Sequence, residues 1–376
     1  MDVNLNILVV SPQIYPCLVG GVEVFNHYFV RGLASRGHKI WVITTCDYDF
    51  HDKSIISLRL NSKLLIHQTF SIDLQILYFC IKTVGKIDII FVPYTSNSHL
   101  AYPLLLIKKL FKVVYVIVIH GGGMHPWKTE FIQKSFFLDA TKIIAVSETI
   151  KLEYERRSSR NIEVIPPLIP FEHSNFSKQE LRNKYKLESS TIILSLGSVK
   201  KIKGSDILLH AFIQLGEDYI KNNDLMLVYV GNGPLKSMLE MKVKEQSFQK
   251  HVRFMGEVSR EKVPEMYKLA DIYVIPSLFE GTPISLLEAM YNNLPIIGAN
   301  ANGINNIIVH EKNGLLFNKG DVNSLKHMIT KLVDDSDLRS KLADCAKTDH
   351  LIQYKFQQII TQYIDIAKES LENTNE

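Results

Sequence analysis

The sequence predicts an α/β protein made of two parallel-sheet domains, and three observations predict it. Short apolar runs rich in β-branched residues alternate with longer amphipathic stretches along the whole chain. The runs are continuous rather than alternating, as in strands buried on both faces of a parallel sheet. The alternation halts at Pro166-Pro167-Leu168-Ile169-Pro170 and then restarts. Three prolines so close fit neither a helix nor a central strand, so a stiff linker is expected there. A chain of 376 residues exceeds one ordinary core and suits two.

The first strand is expected at residues 6–10. A loop with Pro12, Pro16, Gly20 and Gly21 follows. Residues 22–36 then place Phe25, Tyr28, Phe29 and Leu33 at helical spacing, and Gly37 is a plausible stop. Further strands are expected at residues 39–46, 88–92, 113–120, 142–146 and 163–165. After the proline linker they fall at 191–196, 225–230, 252–255, 271–275 and 295–299. Helical stretches between them give the strand–helix–strand order of a sheet wrapped by helices. The expected domains are residues 1–168 and 169–353. The last helical stretch carries Ile359, Ile360, Tyr363 and Ile366 on one face, and residues 354–372 are expected to fold back onto the first domain.

Composition excludes several classes. A net charge of +4 argues against nucleic acid as the main ligand, because duplex readers carry a strong basic excess. Cys17, Cys46, Cys80 and Cys345 are scattered, with no C-x-x-C pair. Free thiols in a reducing compartment are expected, rather than a disulfide framework or a zinc site. Met1-Asp2-Val3-Asn4 is acidic and polar, unlike a signal peptide. The most apolar stretch, Leu104 to Ile119, is interrupted by Lys108, Lys109 and Lys112, so no membrane-spanning helix is expected. A cytoplasmic protein follows. Residues 103–112 read first as an amphipathic helix on the sheet. Contact with anionic lipid headgroups, at the inner face of the membrane, is the alternative.

Open α/β sheets bind ligands at the carboxyl ends of their strands. The richest such place follows the strand at 271–275. It reads Pro276-Ser277-Leu278-Phe279-Glu280-Gly281-Thr282-Pro283-Ile284-Ser285-Leu286-Leu287-Glu288-Ala289-Met290. Thr282 is expected to cap a helix whose first residue is Pro283. The free N–H groups near Ile284 and Ser285, with the helix dipole, suit a phosphate. Elsewhere Gly20 and Gly21 open a helix, His120 ends a strand before three glycines, and Lys203-Gly204 follows the strand at 191–196.

The pattern AD-x-x-x-x-PS-x-x-EG-x-P-x-x-x-x-EAM resembles the donor-site motif of retaining glycosyltransferases of the GT-B fold. That large family includes mannosyl-, glucosyl- and N-acetylglucosaminyl-transferases of bacterial polysaccharides. Pro16 to Gly21, His120, Ser147, Gly197 to Gly204, Gly231-Asn232-Gly233-Pro234 and Asn313-Gly314-Leu315-Leu316 match in order. The resemblance implies two Rossmann-like domains facing across a cleft that closes around the linker. It implies a nucleotide sugar as donor, a saccharide or lipid-linked saccharide as acceptor, and neither metal nor other cofactor. Glu288 would bind the ribose hydroxyls and Glu280 the transferring sugar, assisted by His120. Lys203 would neutralise the departing diphosphate. Gly20, Gly21, Ser198, Gly281, Thr282, Pro283, Ile284 and Ser285 would line the donor site. Gly303 would let backbone amides approach the sugar or phosphate, whereas Gly231 and Gly233 first shape a turn.

The chain departs from the family pattern at three places. Ser198 stands where an arginine is common, Pro167-Leu168 where Asn-Gly is common, and Asn305-Asn306 where Pro-Glu is common. An arginine there normally shares the diphosphate, and Lys200 or Lys201 could supply charge but not its two-pronged geometry. A nucleotide-sugar epimerase on the same fold, or a non-catalytic nucleotide-sugar-binding subunit, are the alternative functions.

Overall fold

The computed structural model describes residues 4–11, 14–17, 21–60, 68–94, 101–121, 130–168, 172–187, 189 and 191–373. The chain divides into two compact units: Met1–Pro170 with Tyr354–Glu376, and Phe171–Gln353.

Unit 1 is built on a seven-stranded sheet in which every described pairing is parallel. Its strands are β1 (Asn6–Val10), β2 (Lys39–Thr44), β3 (Ile55–Arg59), β4 (Ile89–Tyr94), β5 (Val114–Ile119), β6 (Lys142–Ala145) and β7 (Glu163–Val164). They lie in the order β3-β2-β1-β4-β5-β6-β7. The helices are α1 (Gly21–Ser35), α2 (Gln68–Thr83), α3 (Ala101–Phe111), α4 (Glu130–Asp139) and α5 (Glu148–Ser158). Central strands β4 and β5 are buried along their whole length, as continuous apolar runs require. Edge strand β3 was not expected from the sequence. Only one face of Ile55–Arg59 is covered, so it lacks the unbroken apolar run.

Helix α14 (Phe356–Glu372) belongs to this unit. A Cβ on Gly32 of α1 would sit 3.1 Å from Ile360 Cδ1, so the glycine allows the two helices to approach closely. Tyr363 stands edge-on to Phe25 and Phe29, with ring centroids 6.0 and 5.0 Å away. At the rim, Arg36 donates hydrogen bonds to Gln357 and Thr361.

The expectation of four free thiols is corrected here. Cys17 and Cys46 form a disulfide with a Cα separation of 5.8 Å. Parallel pairing of β1 with β2 brings the loop after β1 beside the end of β2, a proximity that a sequence spacing of 29 does not display. Cys80 and Cys345 remain free.

Unit 2 holds a six-stranded sheet in the order β10-β9-β8-β11-β12-β13. The strands are β8 (Thr191–Leu196), β9 (Leu225–Val230), β10 (Val252–Phe254), β11 (Ile272–Ile275), β12 (Ile296–Ala299) and β13 (Leu315–Phe317). β13, three residues long, was not anticipated. The helices are α6 (Lys178–Tyr185), α7 (Ser205–Ile213), α8 (Glu217–Asn222), α9 (Lys236–Glu245), α10 (Val263–Leu269), α11 (Ile284–Tyr291), α12 (Val322–Asp334) and α13 (Ser336–Gln353). Among the described residues no helix is long and apolar enough to cross a membrane.

Candidate active site

The acidic motif occupies the carboxyl end of β11 in unit 2, where a parallel sheet presents its loops. Two backbone devices bring it against the segment after β8. The Leu278 N–H donates to Ile202 O at 2.9 Å, stitching the loop to the 3₁₀ turn Lys201–Lys203. Gly204, at φ +66°, lies so near that a Cβ would collide with Pro276 O. Lys203 and Glu280 consequently meet. The lysine Nζ donates to Oε1 and Oε2 of Glu280, each at 2.7 Å. Ser277 Oγ adds a third bond to Oε1 at 2.7 Å. The loop is closed from behind by Gly303, at φ +85°, whose Cβ would strike Glu280 O. This places Gly303 as a packing residue behind Glu280.

Glu288 sits on α11 among Leu286, Leu287, Ala289 and Met290, all buried, and is itself 4% exposed. A carboxylate among such neighbours needs a cation, and the Arg260 guanidinium provides it. Tyr267 Oη lies 2.9 Å from Glu288 Oε2 and 3.0 Å from Ser285 O. Burial, reinforced by the Glu288 charge, pushes the Tyr267 hydroxyl well above its ordinary range. Tyr273 is pushed up the same way, chiefly by burial. Both tyrosines therefore act as neutral hydroxyls. Arg260, Tyr267 and Ser277 were not singled out from the sequence. The available signal was Glu288 itself, an acid on an apolar helix face.

Helix α11 begins one residue later than expected. Pro283, extended at φ −76° and ψ 92°, is its N-cap and no side chain caps it. The Leu286 and Leu287 N–H groups donate to Pro283 O, so Ile284 and Ser285 contribute the N–H groups ahead of the helical ladder. Thr282 therefore is not the cap: the proline carbonyl begins the ladder. Gly281 and Thr282 are half-exposed, and Ser198, Lys200 and Lys201 are exposed after β8.

Unit 1 carries the remaining candidates. Gly21 is the first residue of α1 and is exposed. The His120 N–H donates to Tyr94 O at 3.1 Å, and its ring lies 4.2 Å from that of Phe25. Its Nε2 is buried with no hydrogen-bond partner among the described residues. Burial lowers the imidazole to about 3, so the ring is neutral across the physiological range. Gly20, Gly122, Gly123, Ile169 and Pro170 lie outside the described residues.

The fold aligns with HepE of Anabaena, solved in complex with UDP-glucose, at a TM-score of 0.80 and 16% identity, over 97% of this chain and 100% of that one. Residues 177–349 match the family described as glycosyl transferases group 1, and residues 19–173 match glycosyltransferase family 4. The chain belongs to the GT-B glycosyltransferases. This glycosyltransferase is 24% identical to an uncharacterized glycosyltransferase of Methanocaldococcus jannaschii, over 98% of its own length and 99% of the relative's. It is also 24% identical to the N-acetyl-α-D-glucosaminyl L-malate synthase of Bacillus anthracis, with 93% of each chain covered. The group 1 match contains Lys203, Arg260, Glu280 and Glu288, and the family 4 match contains Gly20, Gly21 and His120.

Proposed function

We propose that this glycosyltransferase moves a sugar from a nucleoside diphosphate sugar to an acceptor hydroxyl with retention of anomeric configuration. The acceptor is a saccharide or lipid-linked saccharide of surface polysaccharide or glycolipid synthesis. The observation that carries the reading is the Lys203 ammonium shared between both oxygens of Glu280, beside a helix N-terminus that no side chain fills.

In the absence of donor the two charges neutralise each other. A diphosphate arriving at the N–H groups of Ile284 and Ser285 competes for Lys203. Glu280 is then released to accept hydrogen bonds from the sugar hydroxyls. As the bond to the anomeric carbon breaks, negative charge grows on the diphosphate, and a fixed ammonium stabilises it most in that state. Glu288 keeps Arg260 on one side and receives the ribose hydroxyls on the other. With the two acids committed to binding, the acceptor hydroxyl attacks from the face the diphosphate leaves and passes its proton to the departing phosphate oxygen, in contrast to the paired acids of most glycosidases. No metal or further cofactor takes part in this scheme.

A thermal-shift panel of nucleotide sugars tests the donor, since a bound donor raises the melting temperature by linkage. NMR of the product then reports its anomeric configuration. Silence across the panel refutes the donor reading, and an inverted product refutes retention. Donor consumed without acceptor, giving an epimerised nucleotide sugar, replaces transfer with epimerisation.

A further inference from the structure

Unit 1 exposes an apolar surface that the transfer chemistry does not use. In its sheet the chain steps from β1 to β2 in one direction and from β4 through β6 in the other. Right-handed crossovers then put α1 on one face and α3 and α4 on the opposite face. α2 packs beside α3, and α3 beside α4. The outward side of α2 carries Leu74, Tyr78 and Ile81, spaced as one helical face. On α3, Tyr102, Leu106 and Leu110 make a second such row, ending at Phe111. These seven residues are between 42% and 60% exposed. Single exposed hydrophobics need no explanation, but two adjacent rows mark an interaction surface.

Charge selects the partner. From the start of α2 to residue 112 the chain has five lysines and two acids, Asp73 near the start of α2 and Asp88. Asp88 accepts hydrogen bonds from the backbone N–H and side chain of Asn6. Both helices end at the amino edge of the sheet, because each leads to the start of the next strand. Lys82 and Lys86 after the α2 row, and Lys109 and Lys112 around the end of the α3 row, therefore share that edge and are exposed. The Lys82 ammonium lies 5.9 Å from the centre of the Tyr78 ring. Two apolar rows with a cationic rim match a surface having hydrocarbon beneath negative headgroups.

We propose that the outer face of α2 and α3 docks this protein on an anionic lipid bilayer, lying in the interface without crossing it. The inference is independent of the donor reading, because bilayer binding is measured without nucleotide.

The full chain is sedimented with vesicles of phosphatidylcholine alone and with vesicles also containing phosphatidylglycerol. Binding to the mixed vesicles is expected to exceed binding to the neutral ones and to weaken as salt rises. A Tyr78→Ser, Leu106→Ser, Leu110→Ser triple variant should bind at least tenfold less. A Lys82→Gln, Lys109→Gln, Lys112→Gln variant should lose about fivefold per lysine. All six positions are exposed, so melting temperatures should stay at the wild-type value. Equal binding to both vesicle types overturns the proposal, as does wild-type binding by both variants. A wild-type dimer that the serine variant converts to a monomer also overturns it, by assigning the face to a second copy.

Discussion

Replacing Lys203 with methionine keeps the stem of the side chain and removes its charge. Glu280 then loses two bonds of 2.7 Å to the ammonium and keeps the one from Ser277. The side chains of Lys203 and Glu280 are 33% and 11% exposed. The pair thus stands between a surface ion pair, contributing at most about 1 kcal/mol, and a buried one, whose disruption costs about 3–5 kcal/mol. An intermediate loss of about 2 kcal/mol corresponds to a fall in Tm of about 4–8 °C for a domain of this size. Turnover should fall further, by about 10²–10³ in kcat, the usual effect of removing one fixed group that stabilises charge in the transition state. Calorimetry and steady-state kinetics measure the two effects. The Lys203→Met, Glu280→Gln double variant separates them: with neither charge left it should regain most of the lost Tm and none of the activity. If Lys203→Met melts and turns over like the wild type, the ion pair is incidental and the site assignment fails. If the double variant melts lower than either single variant, the pairing argument fails.

Three further outcomes follow from the same geometry. Arg260→Met strands the buried Glu288 carboxylate beside Tyr267, so a stability loss of about 3–5 kcal/mol in urea unfolding is expected; a loss under about 1 kcal/mol would show that Arg260 does not hold Glu288. Gly303→Ala drives a Cβ into Glu280 O at a positive φ, so it should weaken nucleotide-sugar binding in calorimetric titration even where the protein still folds, and wild-type affinity would contradict the packing role. His120 is held near 3, below its ordinary 6.5. The unfolded chain therefore binds the proton more readily, and stability is full above pH 6.5 and declines as pH falls toward 3, by about 1.4 kcal/mol per unit. Urea midpoints at pH 7.5 and 5.5 should show the decline, and His120→Gln should reduce it; a wild-type midpoint that does not move would refute the burial of the ring.

Legibility in the sequence followed local pattern. Strands such as β4, β5 and β9 are covered on both faces, and total burial writes itself as an unbroken apolar run. β3 lies at a sheet edge, where half the residues meet water, and β13 is too short to form a run. The acids at 280 and 288 stood out through the family motif they complete, since either one alone reads as an ordinary solvated glutamate. Their partners come from elsewhere in the chain: Lys203 is 77 residues from Glu280, and Arg260 reaches Glu288 from the turn before α10. Lys203 was found only through its resemblance to a known pattern, and Arg260 was missed. Residues joined through the fold leave no spacing to read, and the Cys17–Cys46 bond escaped for that reason. The one-residue shift at α11 has a local cause, since a proline can begin a helix as its first residue or cap it with its carbonyl.

The placement of α14 in unit 1 sets an order of assembly during synthesis. The ribosome makes the seven strands of that unit first, yet the layer containing Ile360 and Tyr363, packed on Gly32, Phe25 and Phe29, is made after every residue of unit 2. The half translated second is thus the first able to finish folding. Its neighbour must wait with α1 uncovered until residues 356–372 emerge, so a released chain ending at residue 353 would hold one completed half and one still missing part of its core.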